Sequence, residues 1–224
     1  MSREQVAVID YGMGNLHSVA SALHHVADVD VIVTSDHDAV KQADRVIFPG
    51  VGAIRDCAAE IRRLGFDELI ASEIASGKPV LAICVGMQAL MQHSDENGGV
   101  SCLGHFDGNV AFFSDDAQFL DASNALKQAT GCGLKVPHMG WNSVEQRVEH
   151  ALWQGIADNT RFYFVHSYFV TPADMTIEAG RTEYGVGFTS AVSKDNVFAT
   201  QFHPEKSHDA GLRLLKNFIS WDGK

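Results

Sequence analysis

Basic side chains are scarce in this 224-residue chain: 17 lysines and arginines stand against 28 aspartates and glutamates, a formal net charge of −11. So acidic a surface, with no Lys/Arg cluster, cannot displace counterions along a phosphate backbone, so no nucleic-acid binding is expected. Long apolar runs are also missing. No stretch approaches the ~18 apolar residues that suggest a membrane helix, and the opening MSREQVAVID lacks the basic flank and apolar segment of a leader. A cytoplasmic protein without membrane contact is expected. Cysteine is sparse as well: Cys57, Cys84, Cys102 and Cys132 show no CxxC spacing and no disulfide framework, which favours reduced thiols. The eleven histidines form no HExxH or Cys/His cluster, and His24 and His25 would point apart on a helix. No metal or other cofactor is expected. No linker, repeat or low-complexity tract interrupts the chain, whose length suits one domain, 1–224.

What is present is alternation. Gln5–Ile9 reads as a buried strand, Asn15–Val26 as a helix and Val29–Thr34 as a strand; Arg45–Phe48, the helices Ile54–Leu64 and Phe66–Ser76, and Val80–Ile83 repeat the pattern. Strands alternating with helices imply parallel pairing through crossover helices. Beyond about residue 100 the runs become short and β-rich, at Val110–Phe113, Arg161–Tyr168, Met175–Gly180, Phe188–Ser193 and Val197–Phe202. The expected fold class is therefore α/β, with a mostly parallel central sheet, flanking helices and an antiparallel extension. A final helix is signalled by Ser207 as N-cap, Asp209 in the first turn and a stripe of Leu212, Leu215, Phe218 and Ile219.

Cys84 falls where the apolar strand breaks into a helix, with small residues two before and two after, Ala82 and Gly86. This spacing is that of a nucleophile elbow, whose strained turn leaves room only for such neighbours. The following helix aims unpaired N–H groups and its positive end at the sulfur, favouring the thiolate. A lone cysteine after a strand is more often core filler, so a second motif matters. The run Gln201, Phe202, His203, Pro204, Glu205 ends a β-rich segment; in extended chain His203 and Glu205 face one side, so that the carboxylate orients the imidazole toward a thiol.

Two glycine motifs follow strands. Gly12-Met13-Gly14 suggests a dinucleotide loop, but His17 occupies the third glycine position, which weakens that rival. Pro49-Gly50-Val51-Gly52 should line the same carboxyl edge of the sheet as Cys84. The Val85 N–H is then the natural first oxyanion donor, with Val51 or Gly52 as the second.

Together, Cys84 with Gly86, Met87 and Gln88, the string QFHPEKS from Gln201, the Pro49–Gly52 loop, Asp10–Asn15 and Lys135–Asn142 resemble the class I, triad-type glutamine amidotransferases. Within these, the last two strings resemble the glutaminase subunits of imidazole glycerol phosphate synthase. The resemblance spans Val8 to Phe218 and is weakest over residues 98–134. It implies glutamine as substrate, with Cys84, His203 and Glu205 as catalytic residues and Gln88, Glu96 and the backbone of Ser167 and Tyr168 as its contacts. It further implies a (β/α)8 cyclase as heterodimer partner, receiving ammonia and touching Asn15, Pro137, Met139, Trp141 and Lys206. A regular strand over 137–141 is not expected from its Pro/Gly punctuation. Another amidotransferase glutaminase would share the triad but not the Asp10–Asn15 and Val136–Asn142 strings, and a cysteine hydrolase of similar fold would share only the elbow.

Overall fold

The computed structural model describes residues 3–224. The chain alternates from β1 (Gln5–Ile9) and α1 (Leu16–Val26) to β2 (Asp30–Thr34), α2 (His37–Gln42), β3 (Arg45–Gly50), α3 (Ile54–Arg63), α4 (Phe66–Ala75), β4 (Val80–Cys84) and α5 (Val85–Ala89). It then runs through β5 (Met91–Ser94), β6 (Val100–Ser101), β7 (Phe106–Phe112), α6 (Ala117–Thr130), β8 (His138–Gln146) and β9 (Thr160–His166). Strands β10 (Tyr168–Pro172), β11 (Glu178–Glu183), β12 (Gly187–Lys194) and β13 (Val197–Thr200) precede α7 (His208–Ser220).

Every residue of β3 and β4 is buried, as continuous apolar strands covered on both faces require. Five parallel strands lie in the order β2-β1-β3-β4-β13, and the sheet continues through β12, β10, β7, β5 and β6. Pairing is antiparallel from β13 to β12, β12 to β10 and β10 to β7. The mostly parallel α/β sheet with an antiparallel extension is thus the observed fold. Because the chain steps from β1 to β2 in one direction and from β3 to β4 in the other, right-handed crossovers put their helices on opposite faces. Accordingly α1 packs with α7, whereas α3 packs with α4 and α5. The reversal between β1 and β3 opens a crevice at the carboxyl edge, where such sheets bind ligands.

Several local expectations are corrected. The helix after Cys84 is short and ends at Ala89, because Leu103 N–H and Phe106 N–H take the Ala89 and Leu90 carbonyls at 2.8 and 2.9 Å. Residues 138–146 do form a strand, β8, with β9 as its partner; Gly140, at φ +133°, bends without breaking it. Ser207 does not cap α7 through its side chain; its hydroxyl donates instead to the His203 carbonyl at 2.7 Å and accepts from Tyr163 N–H at 3.0 Å. Leu214, not Leu212, completes the buried stripe of α7. Helix α6 went unread because Phe119 is its one buried residue, leaving no apolar period, although Asp116 caps its start and Gly131 its end.

The elbow rests on one close approach. A β-carbon on Gly86 would collide with the Phe48 carbonyl of β3, so α5 can cross the sheet edge only with glycine there. Gly86→Ala should lower stability by about 2–3 kcal/mol, read as a reduced urea midpoint; an unchanged midpoint would show that α5 can move away from β3 at no cost.

Candidate active site

Cys84 ends β4 with φ 56° and ψ −110°, a positive-φ conformation outside the ordinary allowed regions that L-residues adopt only under constraint from their surroundings. Register puts its neighbours in place: Gly50 of β3 lies opposite Cys84, and Thr200 of β13 lies opposite Ile83. The loops after β1, β3 and β13 therefore converge on the sulfur. They bound a cavity of about 640 Å³ lined by Cys84, Val85, Gln88, Val51, Gly52 and His203, together with Glu96, Ser167, Tyr168, Asn15, Pro137 and Lys206. Almost all of the sequence-predicted site residues thus meet at one place. Of the others, Glu205 lies behind His203, and Met139 and Trp141 face outward.

His203 Nδ1 and Glu205 Oε1 are 2.9 Å apart, with both side chains almost fully buried. The backbone there differs from the extended chain expected: Pro204–Lys206 form a tight helical turn, which brings the carboxylate under the imidazole as effectively as strand alternation would. His203 N–H donates to the Tyr163 carbonyl at 2.9 Å. Asn15 Nδ2 donates to the same Glu205 Oε1 at 3.5 Å, a contact that sequence reading missed. Burial pulls the His203 pKa down, but Cys84 and Glu205 more than offset it and raise it to about 10. The sulfur and the carboxylate thus favour the protonated imidazole, the form that can later give up a proton. Burial pushes two other thiols, Cys57 and Cys102, up to about 11, keeping them protonated and weak as nucleophiles.

Around the sulfur, Gln201 Nε2 reaches Cys84 Sγ at 3.6 Å, and Gln201 Oε1 accepts from Gln88 Nε2 at 3.0 Å. Gln201 precedes His203 by two residues, a spacing that could have marked it. Gln88 Nε2 also donates to the Tyr168 carbonyl at 3.2 Å. Glu96 Oε2 accepts from Ile54 N–H at 3.0 Å, so the first turn of α3 anchors one carboxylate oxygen while the side chain still lines the cavity. Strand β3 runs through Gly50, making Val51 the first residue past it; its carbonyl accepts from the Cys57 thiol at 3.4 Å, and Gly52 follows at φ +97°. Met139 and Trp141 are 62% and 36% exposed, and the Trp141 ring stacks on His208 with centroids 5.0 Å apart. Among the described residues no cluster of three or more His, Cys, Asp or Glu could hold a metal ion, and no helix is long and apolar enough to cross a membrane.

A family model, Glutamine amidotransferase class-I, matches residues 7–221. The chain belongs to the class-I glutamine amidotransferases. Among curated relatives of this amidotransferase, imidazole glycerol phosphate synthase subunit HisH of Pseudomonas putida is 57% identical over 99% of both chains. Subunit HisH 1 of Pseudomonas aeruginosa is equally similar, at 57% over the same shares. Solved amidotransferase-fold structures resemble it at lower identity: PurLQS from Thermotoga maritima, at 15% identity, superposes with a TM-score of 0.70 over 98% of this chain and 99% of that one. A glutamine amidotransferase crystal structure gives 0.67 at 16% identity, over 96% and 99%.

The raised His203 pKa couples folding to pH. The folded pKa lies above the ordinary 6.5, so this stabilisation is complete below pH 6.5 and is lost as pH rises through about 10. Urea unfolding of the amidotransferase should show stability falling over that window, with a shallower fall in His203→Gln. Identical pH slopes for both proteins would mean that the folded imidazole is not held charged.

Proposed function

We propose that the chain is the glutaminase subunit of imidazole glycerol phosphate synthase, hydrolysing glutamine in histidine biosynthesis and passing ammonia to a (β/α)8 cyclase in a cytoplasmic heterodimer. The observation that carries this reading is the meeting of a strained Cys84, His203 and its buried partner Glu205 at one cavity, in a chain with full-length similarity to HisH subunits.

In the proposed reaction the Cys84 proton resides on His203, and the resulting thiolate Sγ attacks the side-chain amide carbon of glutamine. The Val85 N–H and an N–H from Val51 or Gly52 receive the developing oxyanion. As the tetrahedral adduct collapses, the carbon–nitrogen bond breaks and His203 gives its proton to the leaving nitrogen, releasing ammonia and a γ-glutamyl thioester. Water then attacks the thioester, His203 takes its proton, and glutamate leaves as the Cys84 sulfur is regained. Glu205 orients the imidazole and stabilises its charge. Gln88, Glu96, Ser167 and Tyr168 hold the substrate, with the free oxygen of Glu96 opposite the α-ammonium. Asn15, Pro137, Met139, Trp141 and Lys206 border the cyclase, where exposed Trp141 supplies the anchor.

Cys84→Ala should reduce ammonia release from glutamine by roughly three orders of magnitude while the complex still turns over its acceptor with free ammonia. Glu205→Gln should lose less than His203→Ala. Retained glutaminase activity in Cys84→Ala would end this mechanism. Trp141→Ala should weaken cyclase binding by about 2 kcal/mol, measured by titration calorimetry, with little change in the melting temperature of the isolated chain. A melting-temperature collapse with unchanged affinity would assign Trp141 to the core instead.

A further inference from the structure

Two buried histidines outside the triad connect strand β8 to the cavity. His138 and His166 are 3% and 6% exposed, and His166 itself lines the cavity. His138 Nδ1 lies 2.9 Å from His166 Nε2, and His166 Nδ1 lies 2.8 Å from the Tyr168 carbonyl. At the other end, Asn142 Nδ2 lies 3.3 Å from His138 Nε2.

The two ends fix where every proton sits. The orientation of the Asn142 amide is set by backbone: Nδ2 donates to the Glu183 carbonyl at 2.8 Å and Oδ1 accepts from Ser143 N–H at 2.8 Å. His138 Nε2 therefore faces a donor and must be bare. The Tyr168 carbonyl can only accept, so His166 Nδ1 must carry a proton. One proton fits between the rings; with both neutral it sits on His138 Nδ1 and points at a bare His166 Nε2. A second proton on either ring would set two N–H groups against each other. Burial agrees, lowering His138 to about 4 and His166 to about 3, and aromatic rings enclose the pair, with Tyr184 and Phe164 stacked on His138 and Phe113 against His166.

The chain of donors ends at a carbonyl that also receives Gln88, so both of its lone pairs are taken. Gln88 in turn orients Gln201, which reaches the Cys84 sulfur. We propose that His138 and His166 form a neutral relay of fixed tautomer that locks the Tyr168 carbonyl and Gln88 in place, making both histidines positioning residues for glutamine binding. This rests on the reading of the cavity as a glutamine site, but the tautomers do not depend on that reading.

Nitrogen-15 histidine spectra of the full chain, alone and with the cyclase, test the relay directly. Both rings should be neutral Nδ1–H tautomers throughout pH 6–8; an Nε2–H tautomer or a titrating ring at either position would overturn it, whether or not the protein releases ammonia from glutamine. Steady-state glutaminase kinetics of the complex test the positioning role. His166→Ala should raise KM for glutamine about tenfold, the scale of one lost hydrogen bond, with kcat changed far less. His166→Asn places an amide donor where Nδ1 was and should recover most of that loss, whereas His166→Gln, mimicking Nε2, should not. Equal KM values for wild type and all three variants, or equal losses in Asn and Gln, would reduce the pair to core packing.

Discussion

The approach of α5 to β3 is the constraint from which the rest of the site follows. Glycine at position 86 lets the helix start directly against the Phe48 carbonyl, immediately after Cys84 takes its positive-φ conformation at the end of a fully buried strand. The strain is sustained by the sheet around it. Parallel ladders to β3 and β13 fix the elbow from both sides, and the loops that follow those strands then have no place to go but the sulfur.

The charges in the site form a graded series. Glu205, almost fully buried, faces His203 and shares one oxygen with Asn15, while Cys84 and Glu205 favour protonated His203 against the pull of burial. Cys57 and Cys102 are also raised, by burial above all, and for a thiol that rise keeps the neutral form. Burial alone thus silences a thiol; burial beside an imidazolium makes a site in which charge can move.

Much of this was legible in the sequence because its signals are local. The parallel half announces itself in strands such as Gln5–Ile9 and Val80–Ile83, and the elbow needs only Ala82, Cys84 and Gly86. Features that depend on distant partners were not legible. Helix α6 has one buried residue and so no apolar stripe to read. Strand β8 was hidden because its support comes from β9, some twenty residues later, and from β11, overriding the poor strand propensity of Gly140 just after Pro137. His138 lies in the Lys135–Asn142 string and His166 in the Arg161–Tyr168 run, both readable, but what they do depends on a cross-strand meeting at 2.9 Å that no local pattern encodes.

Strands β8 and β9 form a two-stranded ribbon in register from His138↔His166 to Val144↔Thr160. One strand bears Met139 and Trp141 toward solvent; the other accepts the His203 N–H through Tyr163 and meets Ser207 at the turn carrying Glu205. Among the described residues the ribbon is joined to the remaining sheet through only the short pairing of β8 with β11. Trp141 and Tyr163 are direct cross-strand partners, so a single rung of this ribbon carries both the outward-facing ring and the carbonyl that receives the His203 N–H.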